Sequence, residues 1–208
     1  MAKADVPWAQ LLAHRDTVAR YEAKVYRRGP GRCDYWIGAI SDSGHGKIRA
    51  GNKKTTGKSW VVTAHVLGFG LVHGVEALDR IALVRHTCDS PSCQLPEHWI
   101  PGTRQDNALD YASRSMVIGH ALTDTRGAAG RAVAIRDAIL DALDQGRDVE
   151  LAIAGAIRAG QPGGAEQSAL DVPAAVTAPR WKPPRPPVER AAPVGPEQLH
   201  GAEQPGLW

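Results

Sequence analysis

The sequence predicts an α+β protein with four parts: a small antiparallel sheet, a metal-stapled strand-and-helix core, a helical hairpin and a disordered Pro-rich C-terminal tail. Three observations predict it. Short β-branched and aromatic runs separated by Gly, Asn and Ser turns fill residues 35–63. Cys88-x4-Cys93-x4-His98 places three soft or borderline donors at close spacing, the set that zinc selects. Beyond residue 131, apolar positions at helical spacing run to Ala159, and ten of the fifteen prolines then follow Gln161.

Composition narrows the class. The 208 residues are 43% hydrophobic but only 5% aromatic, with 22 glycines and 15 prolines, so the chain is not packed throughout. The formal net charge of +3 is mild, and its distribution says more. From Arg27 to Lys58 eight basic residues face only Asp34 and Asp42, and such local clusters set the field felt by a phosphate backbone. Three cysteines cannot all pair within one chain, and MAKADVPWAQ lacks an apolar signal core. No run approaches the ~18 apolar residues that span a bilayer. These features predict a cytoplasmic protein with no membrane partner, its thiols serving as metal ligands.

Taken in order, Val6 to Val25 reads as one helix with Pro7 in its first turn. Arg27-Arg-Gly-Pro-Gly31 breaks it and leads to Cys33. Tyr35–Ile40 reads as a strand, residues 41–46 as a turn, Lys47–Ala50 as a second strand, residues 51–57 as a turn and Ser59–Thr63 as a third. Lys47, Arg49, Lys53, Lys54 and Lys58 then cluster on this sheet with no acid between 47 and 58. By itself the cluster reads equally as a solvated edge protected from strand pairing. Ala64–His73 reads as a helix ending at Gly74; its His65 and His73 are left outside the catalytic set, a lone helical histidine being more often a packed or surface residue. Ile81–Arg85 is a strand ending at His86, Glu97–Ile100 returns, and Thr103 caps a helix with Asp106 completing a capping box. Ala132–Gln145 and Val149–Ala159 form two Ala-rich helices about Gly146, either a helical hairpin or a helix-turn-helix. The parts are residues 1–28 (N-terminal helix), 29–118 (core), 119–160 (helical segment) and 161–208 (tail).

His86-x-Cys88-x4-Cys93-x4-His98-x8-Asn107 resembles the core of the HNH and His-Cys box endonucleases, the ββα-metal or His-Me finger group, over roughly residues 30–115. The resemblance implies a ββα-metal nuclease core. His86 would be the general base, and Asn107 the ligand of a catalytic Mg²⁺ or Mn²⁺. Cys33, Cys88, Cys93 and His98 would hold a structural zinc; Cys33 is also the only cysteine left to supply a fourth donor. In this group a basic residue on the strand before the helix contacts the scissile phosphate. Lys47 is the first choice for that role and Arg49 the second.

The expected activity is therefore hydrolysis of DNA phosphodiesters, by a nickase or double-strand cutter of phage or mobile-element type. Double-stranded DNA is the partner, met by Lys47, Arg49, Lys53, Lys54 and Lys58 on a ribbon that suits the major groove. If phage-encoded, the protein acts in the bacterial host cytoplasm. Two alternatives stay open: a non-catalytic zinc-stabilised DNA-binding protein, and a homing endonuclease acting as a homodimer. Gln204-Pro-Gly-Leu207-Trp208 resembles the Gln-x-x-Leu-aromatic peptide bound by bacterial sliding clamps.

Overall fold

A computed structural model describes residues 6–117 and 119–163. The Pro-rich segment and the terminal Gln204, Leu207 and Trp208 lie outside these residues. The described chain is mixed α+β, with three small antiparallel sheets and seven α-helices. None of these helices is long and apolar enough to cross a membrane.

The helix expected over residues 6–25 is two helices, α1 (Trp8–Ala13) and α2 (Arg15–Glu22). His14 separates them with extended backbone, and its Nδ1 accepts the Thr17 amide as the cap of α2. Val25 does not continue the helix; it lies in β1 (Val25–Tyr26), which pairs with β2 (Tyr35–Trp36). The single strand expected over 35–40 is likewise two. The chain bends at Ile37-Gly38, where the Trp36 indole donates to the Ala39 carbonyl at 3.0 Å. A Cβ on Gly38 would sit 2.8 Å from that ring. The bend moves β3 (Ala39–Ile40) into a different sheet.

That second sheet is β3-β4-β5, with β4 at Gly46–Ala50 and β5 at Trp60–Thr63. Gly46, Ile48 and Ala50 face inward, while Lys47 and Arg49 share the outer face. α3 (Ala64–His73) follows directly and ends at Gly74 with φ 85°. α4 (Val75–Arg80) was not expected from sequence. Leu11, Trp36, Ile48, Leu67, Leu78 and Trp99 form the main core between sheet, helices and the later hairpin. Gly68 allows that packing, since a Cβ there would meet the Tyr21 hydroxyl at 2.2 Å and Trp99 at 2.6 Å.

β6 (Leu83–His86) and β7 (Trp99–Gly102) form the next hairpin, pairing His86 with Trp99. Residues 87–98 loop between them and close with a 3-10 turn at Pro96–His98. α5 (Arg104–Arg114) starts from Thr103, whose capping box with Asp106 is complete. Arg85 of β6 and Arg114 of α5 both pair with Asp110, which clamps the helix to the hairpin. α6 (Gly127–Asp144) and α7 (Val149–Ala159) pack as a hairpin. Ile135, Ile139 and Ile153 build a second core against Tyr35, with Cys33 and Tyr26 at its margin. Glu150 of α7 also pairs with Arg28 at 2.7 Å and Arg32 at 2.9 Å. The Ala-rich hairpin is thus used for packing on this chain.

Candidate metal centre and histidine cleft

Backbone pairing brings Cys33 to the distant cysteine loop. The Trp36 amide donates to the Ser92 carbonyl at 3.0 Å, the Gln94 amide donates to the Asp34 carbonyl at 2.7 Å, and Tyr35 bridges Cys93. Asp34 is buried and accepts from the Arg28 amide at 2.8 Å and Arg27 at 3.2 Å, which fixes the turn before Cys33. Within the loop, Asp89 adopts φ 49° and pairs with Arg114 at 3.1 Å and His120 at 3.3 Å. Asp89 thus has partners in a backbone conformation that a non-glycine residue seldom adopts.

Donor atoms of Cys33, Cys88, Cys93 and His98 converge, all within 4.8 Å of one another. His98 Nδ1 lies 3.5 Å from both Cys33 Sγ and Cys93 Sγ. The three thiols are free, and their mutual contacts split their acidities. Hydrogen bonds from Cys88 and then Cys93 pull the Cys33 pKa down. The bond with Cys33 pushes Cys88 up to about 12 and raises Cys93 as well. Three sulfurs and one imidazole at these distances can hold a metal such as zinc.

A second group gathers His45 from the turn before β4, His65 from α3 and His86 from β6. Their donor nitrogens also lie within 4.8 Å of one another. Ring centroids are 4.6 Å apart for His65–His86, 5.1 Å for His45–His65 and 6.2 Å for His45–His86. His86 is buried, and its Nε2 lies 3.1 Å from the Cys93 carbonyl. A carbonyl only accepts, so Nε2 carries the proton and Nδ1 keeps its lone pair. Burial, then His45, pushes the His86 pKa down to about 4, below the ordinary histidine value assumed from sequence. Burial, then His86 and His45, holds His65 well below that value too, and burial followed by Lys47 lowers His45.

His45 and His65 line a cleft of about 540 Å³ together with Lys47, Thr63 and Asn107. Lys47 donates to the Thr63 hydroxyl at 3.0 Å, so its ammonium is positioned rather than loose. His86 stands behind this pair in ring contact. Arg49 lies farther along the same strand face, exposed, and bonds Ser59 at 3.0 Å. Lys53, Lys54 and Lys58 are exposed on the β4–β5 loop, Lys58 with its ammonium 3.8 Å over the Trp60 ring. That loop is fixed to the α1–α2 junction through His14 Nε2 and Thr55 Oγ1 at 2.7 Å.

Sequence spacing picked out His86 and the four-donor set. It missed His45, which read as turn chemistry, and it set His65 aside. Each sits alone in its own segment, and only the tertiary fold brings the three rings together. The one available signal was the Gly44-His45-Gly46 triplet: Gly44 has φ 80°, and a Cβ on Gly46 would sit 2.6 Å from Trp36. Small residues on both sides let His45 approach the core.

Comparison with known proteins gives one partial similarity. The chain is 33% identical over 82 residues to Protein 2.8 of Escherichia phage T7, across 39% of this chain. It spans half the length of that relative. No protein-family model matches the chain, and no solved structure matches it.

Proposed function

We propose that this protein is a metal-dependent DNA endonuclease of the HNH or His-Cys box type, stabilised by a structural zinc ion. The carrying observation is the cleft: Asn107, Lys47, His45 and His65 line it, and the His86 imidazole lies in contact behind. The partial similarity to a phage protein supports a phage or mobile-element origin.

In this reading a zinc ion on Cys33, Cys88, Cys93 and His98 is structural, because four protein ligands leave no open position. It ties the first sheets to the β6–β7 hairpin. His86 donates through Nε2 to the Cys93 carbonyl and so presents Nδ1 as the acceptor of a proton from water. Its low pKa keeps it unprotonated at neutral pH, at some cost in basicity. Lys47, held by Thr63, supplies positive charge to a phosphate oxygen. Asn107 would hold a hard divalent ion, Mg²⁺ or Mn²⁺, through its amide oxygen, and such an ion supplies charge neutralisation at the phosphate and leaving oxygen. Arg49, Lys53, Lys54 and Lys58 extend a positive track from the cleft along the hairpin for the DNA backbone.

One observation favours a second reading, a non-catalytic zinc-stabilised DNA-binding protein: His86 is only 8% exposed, with the His45 and His65 rings packed near it. Incubating supercoiled plasmid with the protein and Mg²⁺ separates the two. The endonuclease reading expects nicked circles with Mg²⁺ and none in its absence, at unchanged zinc content. DNA binding without nicking under any divalent ion would overturn it and leave the binding module.

A further inference from the structure

The three histidines share a pattern that base catalysis alone does not require. In each ring one nitrogen is committed to the protein and the other is free. His86 Nε2 is tied to the Cys93 carbonyl at 3.1 Å, and His45 Nδ1 to the Ser43 hydroxyl at 2.9 Å. His65 bonds the Val84 backbone, while its Nδ1 is buried with no hydrogen-bond partner. A buried nitrogen left without a partner is unfavourable, and a ligand on it would remove that penalty. Holding one imidazole nitrogen to fix the tautomer and aim the other is how proteins prepare histidine ligands.

We propose that His45, His65 and His86 form a second metal centre, taking a borderline divalent transition ion such as Zn²⁺, Co²⁺ or Ni²⁺ through three imidazole nitrogens. Tetrahedral coordination separates ligand nitrogens by about 3.3 Å, and one nitrogen from each ring already lies within 4.8 Å of the others. The supports are a tight turn, a helix and a strand, each already anchored. Three protein ligands leave a fourth coordination position on the cleft side, where His45 and His65 are lined up with Lys47 and Asn107. The nearby Lys47 charge opposes any cation, which favours ions that bond strongly to imidazole. Mg²⁺ prefers oxygen and would not compete for this position.

The consequence for catalysis rests on the endonuclease reading: an ion here occupies the lone pair that His86 needs as base, so a loaded centre is an inhibited one. The centre itself stands or falls without reference to activity. Full-length protein already holding one zinc is titrated with Co²⁺. One further equivalent should bind and give visible d–d absorption without a thiolate charge-transfer band. His45→Ala and, separately, His65→Gln should each cut the stoichiometry from two ions per chain to one, while the first zinc and the circular dichroism spectrum persist. A wild-type stoichiometry of one, or two ions retained in His45→Ala, overturns the proposal. If a second ion binds but no DNA is ever nicked, the centre stands and the endonuclease reading falls. Nicking by a chain that takes up only one ion does the reverse.

Discussion

The two donor clusters meet at the β6–β7 hairpin, which carries Cys88, Cys93 and His98 of one and His86 of the other, yet they are built oppositely. The Cys33/Cys88/Cys93/His98 group commits every donor inward and leaves nothing for a reactant. The His45/His65/His86 group keeps one free nitrogen per ring and opens, through His45 and His65, onto a cleft. Cys93 joins them: its sulfur belongs to the first cluster, and its carbonyl orients His86 in the second. A closed centre can therefore serve as the rigid backing that an open one requires.

The largest effect should follow from breaking the closed side. Cys33→Ser or Cys93→Ser, or removal of metal by a chelator, should abolish cooperative unfolding, since such sites contribute roughly 10 kcal/mol or more to small metal-dependent folds. Thermal melts followed by circular dichroism, with zinc measured by elemental analysis, check this. A metal-free protein that still melts cooperatively would erase the contrast.

Breaking the open side should spare the fold and affect chemistry. His86→Ala should bind DNA normally and lose on the order of 10²–10⁴ in cleavage rate, the usual contribution of a positioned base. Its residual rate should rise with pH as hydroxide substitutes. Asn107→Ala should instead recover part of its loss when Mg²⁺ is raised or Mn²⁺ supplied. Plasmid-nicking rates across a metal and pH series distinguish the two variants. Near wild-type cleavage by His86→Ala would remove the assignment.

Smaller changes should come from the basic ribbon, which lies outside both clusters. Replacing Lys53 and Lys54 together with Gln should weaken binding evenly across DNA sequences. The salt dependence should flatten by about one unit of slope for each phosphate that is no longer neutralised. Fluorescence anisotropy at several salt concentrations reads both. An unchanged slope would leave the ribbon as a solvated edge.

Acid gives the smallest test, through a carboxylate that belongs to neither cluster. Burial raises the Asp124 pKa, but hydrogen bonds from Arg126 and Arg131 outweigh it, so the net shift is downward. A lowered folded pKa means stability that is fully present above the ordinary carboxylate value and lost as pH falls from there through the lower folded pKa. Asp124→Asn should therefore be less stable at neutral pH and flatten the acid limb below about pH 4, without altering zinc content. If zinc were lost in step with Asp124 titration, the acid limb would belong to the metal centre.

Much of the closed cluster was legible in sequence, and little of the open one. Cys88, Cys93 and His98 lie close in sequence, and only one cysteine remained to join them. α3, α7 and the Thr103–Asp106 capping box also follow from local signals. The breaks at His14 and Ile37-Gly38 do not. The first depends on a side chain capping the helix that follows it, and the second on an indole folding back onto its own strand. His45 and His65 escaped for a related reason. Their meaning comes from ring contacts across a turn, a helix and a strand, and periodicity carries no information about such contacts.

The pairing of residues 34–36 with 92–94 also bears on how the chain acquires its structure during synthesis. The β3–β5 sheet and α3 use neighbouring segments and can assemble early. Residues 33–36 also need partners that are not made until Gln94 and His98 have been synthesised. Tyr35 and Cys33 then provide the surface on which α6 and α7 dock. A nascent chain stalled before His98 would keep its early elements but lack the metal clamp, the oriented His86 and the docking face together.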